Sequence, residues 1–131
     1  MHALIIEDHA LIATQIKDGL SDLGYTSFDI ADREAMATTA ANGRLPDLIT
    51  ADYLLREGTG LKAVEVICAT RPIPVVFIVG TLGENLIFPT SVVIQKPFTP
   101  GKLAEAVRHA ITLAQNALNV SGPTLKSSPT L

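Results

Sequence analysis

Three acids and one lysine each close a short apolar run. Glu7 and Asp8 follow ALII, Asp52 follows DLITA, and Lys96 with Pro97 follows SVVIQ. Carboxylates brought together repel and resist ionisation unless a positive group lies between them. A divalent ion suits that place, and magnesium suits it best, because it takes oxygen ligands and is held by one or two carboxylates plus a phosphate. No Cys and His cluster with zinc spacing competes. With the charge offset, one carboxylate can attack a phosphoryl group and carry it as an aspartyl phosphate, while the lysine neutralises the phosphoryl oxygens. The chemistry these residues suggest is phosphoryl acceptance.

For that chemistry the four residues must meet, and the elements between them say how. Apolar β-type runs at 3–7, 25–31, 47–51, 74–79 and 91–95 alternate with segments of helical period at 9–23, 33–43, 60–71 and 101–117. Leu11, Ile12, Ile16, Leu20 and Leu23 recur at helical steps before Gly24, which is placed to end the first helix. Leu103, Val107, Ala110, Ile111, Ala114 and Leu118 do the same after Pro100 and Gly101. Alternation of this kind predicts an α/β fold, a parallel sheet covered on both faces. Right-handed crossovers then put the strand ends that follow Ile6, Ala51, Val79 and Gln95 on one edge, where open α/β sheets carry their sites. Gly80 and Thr81 after the fourth strand join that edge.

Other bounds narrow the function. With 131 residues and 47% hydrophobic content the chain can bury a core of its own, and one domain is expected. Thirteen acids against ten Lys plus Arg leave no basic block, so direct nucleic-acid binding is not expected. Cys68 is alone and sits in the apolar stretch VEVICAT, which fits a buried side chain better than a reactive thiol. No early basic segment leads into a long apolar one, and no run approaches the roughly 18 residues of a membrane span, so no membrane association and a cytoplasmic location are expected. His2, His9 and His109 are read as surface residues, His9 lying close enough to the acid pair to modulate it. Residues 118–131 carry two prolines and no period, and are expected to form a disordered tail behind a domain of residues 1–117.

Each site feature alone is more often structural: adjacent acids a solvated loop, Asp52 a turn cap, Lys-Pro the start of a helix. Their joint arrival on one edge reverses that judgement. The acid pair Glu7-Asp8, Asp52, Gly60 eight residues on, and QKPF at 95–98 together resemble the receiver domain of two-component response regulators over residues 1 to about 117. The resemblance implies a flavodoxin-like (βα)5 sheet of strand order 2-1-3-4-5. It matches Asp52 to the phosphoacceptor, and Glu7 and Asp8 to the magnesium-binding acids, Asp8 as direct ligand. The Leu54 backbone carbonyl matches a further ligand, Lys96 the lysine that pairs with the phosphoryl group, and Pro97 a cis-proline that aims it inward.

Departures from the pattern are specific. Val79 stands where receivers carry a Thr or Ser hydroxyl, so Gly80 and Thr81 are left as the residues able to contact the phosphoryl group there. Val93 replaces the aromatic switch residue, and Arg56 stands where proline is common. Only eleven residues, GTLGENLIFPT, join the fourth and fifth strands, about the minimum for a crossover, so a shortened or irregular fourth helix is expected. Two functions follow. One is a stand-alone receiver phosphorylated on Asp52 by a sensor histidine kinase or histidine phosphotransfer protein and signalling through a downstream protein. The other is a degenerate receiver used as a constitutive protein-binding or homodimerisation surface. A nucleotide-binding enzyme is excluded because no GxxxxGK[ST] loop is present, and an aspartate-based phosphatase is disfavoured because Leu54 stands where its second acid would be.

Overall fold

The computed structural model describes residues 1–80, residue 88 and residues 91–120. Five strands, β1 (His2–Ile6), β2 (Ser27–Ala31), β3 (Leu48–Ala51), β4 (Val75–Val79) and β5 (Ser91–Gln95), form one sheet with neighbours in the order β2-β1-β3-β4-β5. All four pairings are parallel. Four helices are found among the described residues: α1 (Ala10–Asp22), α2 (Glu34–Gly43), α3 (Gly60–Ile67) and α4 (Pro100–Val120). This is the expected flavodoxin-like α/β architecture. The link expected to hold a shortened fourth helix, Thr81 within it, and residues 121–131 of the expected tail lie outside the described residues, apart from Gly80 and Phe88.

Strand alternation sorts the core into two layers. Ala3 and Ile5 of β1 join Ala13, Ile16, Leu20, Val76, Ile78, Leu103 and Val107 under α1 and α4. Leu4 and Ile6 join Ala37, Ile49, Ala63, Val64, Val75, Phe77 and Val79 under α2 and α3. Burial of β1, β3 and β4 on both faces explains why their sequences read as continuous apolar runs.

Boundaries shift where local closure competes with the strand or helix. β2 starts at Ser27 rather than residue 25, because α1 ends in a Schellman closure that uses the intervening residues. Gly24 N–H donates to the Ser21 carbonyl at 3.1 Å, Tyr25 N–H reaches back to Leu20 at 3.1 Å, and Gly24 takes φ +98. Helix α3 stops at Ile67 rather than residue 71; Pro72 disfavours helical geometry at Arg71 and forces the chain to turn toward β4. Helix α4 runs on through Val120.

His2 departs from its expected surface place. It is 3% exposed. Its Nδ1 lies 2.7 Å from Ser27 Oγ and its Nε2 3.0 Å from Asp29 Oδ2, while its backbone N–H donates to Asp47 Oδ2 at 2.7 Å. A ring that begins a central strand can be buried because both nitrogens find partners on β2. Cys68 is half-buried, and burial pushes its thiol up to about 11, in keeping with an inert side chain.

Candidate functional site

The register places the chemistry. Ile6 pairs with Ala31 on one side and Ala51 on the other, so Glu7, Asp32 and Asp52 leave three neighbouring strands at one level. Backbone bonds carry this order one residue further: Glu7 N–H donates to Ala31 O and Asp52 N–H to Ile6 O, both at 2.9 Å. Carboxylate oxygens of Glu7, Asp8 and Asp52 lie within 4.8 Å of one another. Across the edge, Lys96 N–H donates to the Val79 carbonyl at 2.8 Å, and the Lys96-Pro97 bond is cis.

Lys96 closes the group. Its Nζ donates to Asp52 Oδ2 at 2.8 Å and pairs with Glu7 Oε1 at 2.9 Å. Glu7 is 2% exposed; its second oxygen accepts from His9 N–H at 3.1 Å, while Oε1 faces the ammonium without a directed hydrogen bond. Burial holds the Glu7 carboxyl above the usual range, and Lys96 only partly offsets this. For Lys96, burial alone would lower the ammonium, yet its hydrogen bond to Asp52 and its ion pair with Glu7 outweigh it and keep the group above the ordinary lysine value. His9 meets Glu7 through its backbone rather than its ring.

The loop behind Asp52 is shaped by two glycines. A Cβ at Gly60 would overlap the Asp52 carbonyl oxygen, so only glycine allows α3 to start this close to the strand end. Gly58 takes φ +81, and a Cβ there would meet the Glu34 side chain. Thr59 caps α3, its hydroxyl accepting from Lys62 N–H at 3.1 Å. Gly60 N–H donates to Tyr53 O at 2.8 Å and Leu55 N–H to Gly58 O at 3.4 Å. These two bonds flank the Leu54–Thr59 bridge and leave the Leu54 carbonyl outside the pairing.

Val79 is 2% exposed, its side chain held in the layer under α2 and α3, and Val93 packs against that same layer. Gly80 is exposed, its carbonyl accepting from Gln95 Nε2 at 3.3 Å, and among the described residues a Cβ there would meet nothing within 4 Å. Close approach of a neighbour is therefore not what Gly80 serves among these residues. Thr81 lies outside them.

Two features escaped the sequence. Ile12, Gln15, Lys96, Pro97 and Phe98 line a cleft of about 260 Å³ beside the lysine. Its only sequence signal is the three-residue spacing of Ile12 and Gln15 on α1. The second is a group of charges: Arg33 grips Asp32, Nε to Oδ1 at 2.8 Å and Nη2 to Oδ2 at 3.3 Å, and reaches Glu57 Oε2 at 3.1 Å. Its sequence signal is the run DRE at 32–34 directly after β2.

A parallel sheet of order 2-1-3-4-5 that carries acids on two adjacent central strand ends, joined by a lysine before a cis-proline, is matched by a family model described as "Response regulator receiver domain" over residues 3–108. The chain belongs to the response regulator receiver family. PhyR, the phyllosphere-induced regulator of Methylorubrum extorquens, is 32% identical over 121 residues, covering 87% of this chain and 45% of that protein. The chain thus spans less than half the length of that relative. The chemotaxis protein CheY of Thermotoga maritima is 24% identical over 110 residues, 79% of this chain and 92% of its own. Among solved structures, the PhyR receiver domain of Erythrobacter litoralis superposes with a TM-score of 0.74 at 30% identity, covering 85% of this chain and 89% of that one. PhyR of Bartonella quintana, described as an anti-anti-sigma factor, matches 89% of this chain with half of its own at 30% identity and a TM-score of 0.73.

Proposed function

We propose that this receiver takes a phosphoryl group onto Asp52 from the phosphohistidine of a sensor histidine kinase or histidine phosphotransfer protein, and signals by changing what it binds. One observation carries the reading: Lys96 Nζ stands 2.8 Å from Asp52 and 2.9 Å from Glu7, within a group of three carboxylates that share 4.8 Å. A structural ion pair needs one acid; three acids around one lysine leave negative charge in excess, which a cation and then a phosphoryl group can use.

The donor set fits magnesium. All the side-chain ligands on offer are oxygens, and Glu7 Oε1 is a buried oxygen without a directed hydrogen bond. Asp8, Asp52 and the Leu54 carbonyl would hold the ion, with Glu7 alongside. When bound, the ion supplies charge neutralisation at the phosphoryl oxygens. The chain's own residues do the rest. Lys96 fixes one Asp52 oxygen and so orients the carboxylate. An Asp52 oxygen attacks phosphorus, the P–N bond to the donor imidazole breaks with its electron pair going to nitrogen, and that nitrogen takes a proton from solvent. Lys96, kept cationic, then pairs with the phosphoryl oxygens.

Output through a protein partner is supported by the likeness to PhyR. A constitutive, unphosphorylated binding module is the second reading, favoured by one fact: buried Val79 has no hydroxyl to give the phosphoryl group. Intact mass after incubation with magnesium and a small acyl phosphate separates the two. One added phosphoryl group is expected in the parent and none in Asp52→Asn; an unmodified parent, or a modified Asn variant, rejects the first reading.

A further inference from the structure

The charged residues beside the site make a clasp between the start of α2 and the loop that follows Asp52. Arg33 is shared by Asp32 and Glu57. Glu34 N–H donates to the Glu57 carbonyl at 3.1 Å, and Glu34 Oε1 accepts from Thr59 N–H at 3.2 Å. Three contacts therefore tie residues 33–34 to residues 57–59, and Asp32 holds Arg33 in place from its own side. The loop is also gripped at its other end, where Asp52 N–H bonds Ile6 and the Asp52 carbonyl is packed by Gly60.

We propose that this clasp is a second reader of the site: charge arriving on Asp52 draws Arg33 away from Glu57 and releases the 54–59 loop from α2. The inference rests on the proposed phosphorylation of Asp52. Its geometry comes from the register. β2, β1 and β3 are successive strands, so Arg33 starts two strand spacings from Asp52, about 10 Å, roughly one Debye length at physiological salt. Glu57 is two-thirds exposed and carries one charge, a weak and screened partner. Phosphorylation turns the single charge of the Asp52 carboxylate into nearly two on the aspartyl phosphate, a gain of about one charge in a half-buried place, where screening is less. Arg56, at the tip of the loop, also acts on Asp32 and helps hold its carboxyl below the usual range, after the larger effect of Arg33. Two arginines thus act on Asp32, the acid that leaves β2 at this edge. With no hydroxyl at Val79, the phosphoryl oxygens have more need of such donors.

The clasp and the signalling reading can be separated in one experiment. Hydrogen exchange of the Glu34 and Thr59 amides is followed by NMR on the full chain with magnesium, before and after addition of a small acyl phosphate, with intact mass on the same sample. The expected result is faster exchange of both amides in the phosphorylated protein, on the order of tenfold, as loss of one net hydrogen bond gives. Arg33→Gln should exchange at the faster rate from the start and gain nothing further on modification. Modified protein in which both amides exchange at the old rate, or more slowly, overturns the clasp and leaves Asp52 phosphorylation standing. A sample whose mass never changes overturns both.

Discussion

Glu7 is the residue on which the site's electrostatics turn. It is closed to water at the rim of the sheet, and its partner Lys96 is shared with Asp52. Burial raises its folded-state pKa above the ordinary 4.5, so the native protein binds that proton more tightly than the unfolded chain does. The cost of the buried charge is absent below the ordinary glutamate value and grows as pH rises through the raised one; stability falls across that window. Lys96 has the opposite consequence at the alkaline end, because its raised pKa gives stability that is present below 10.5 and lost as pH rises through the higher folded-state value. Glu7→Gln removes the first effect and leaves the Lys96–Asp52 bond. Urea unfolding at a series of pH values should show the variant more stable at neutral pH by on the order of 1 kcal/mol, with the advantage vanishing in acid. An unchanged difference between pH 4 and 7 would show that Glu7 carries no such burden.

At the scale of elements, the loop between β3 and α3 is set by close approach rather than by propensity. Gly60 has an ordinary φ, yet the atom its missing Cβ would strike is the backbone oxygen of the proposed phosphoacceptor, which has nowhere to go while Asp52 N–H stays bonded to Ile6. Gly60→Ala should therefore cost about 2–3 kcal/mol, as overpacking against fixed backbone does, and slow phosphoryl uptake because Asp52 is displaced. Chemical denaturation read together with the rate of mass gain checks this; a variant with parental stability and rate would contradict the close packing. The sequence marked Gly60, Asp52, Lys96 and the strand runs because each is a local signal: a period, a stop, a charge at a run's end. It could not show that the cap of α1 would consume Tyr25, that His2 would find Ser27 and Asp29, or that Arg33 would reach Glu57, since those depend on segments far apart in sequence meeting in one register. The depth of Glu7 was hidden for the same reason. Its charged partner is a lysine that lies 89 positions on.

For the whole molecule, the site is a product of folding. Glu7 and Asp8 leave β1, Asp52 leaves β3, and nothing in an unfolded chain would hold the three carboxylates within 4.8 Å. A cation that binds the cluster therefore binds the native state alone and must stabilise it by mass action. At ten times its dissociation constant the gain is about 1.4 kcal/mol, worth roughly 5 °C in the melting temperature of a domain this size. Screening alone would also relieve three crowded acids, so the comparison is with sodium chloride at matched ionic strength. Magnesium should raise the melting temperature beyond that control, saturably, and Asp8→Asn should lose the rise, because Asp8 has no role in the Lys96 pairs and offers its carboxylate to the ion. Equal shifts with both salts, or a rise that persists in Asp8→Asn, would mean that the acids are balanced by Lys96 alone and that the cluster is no metal site.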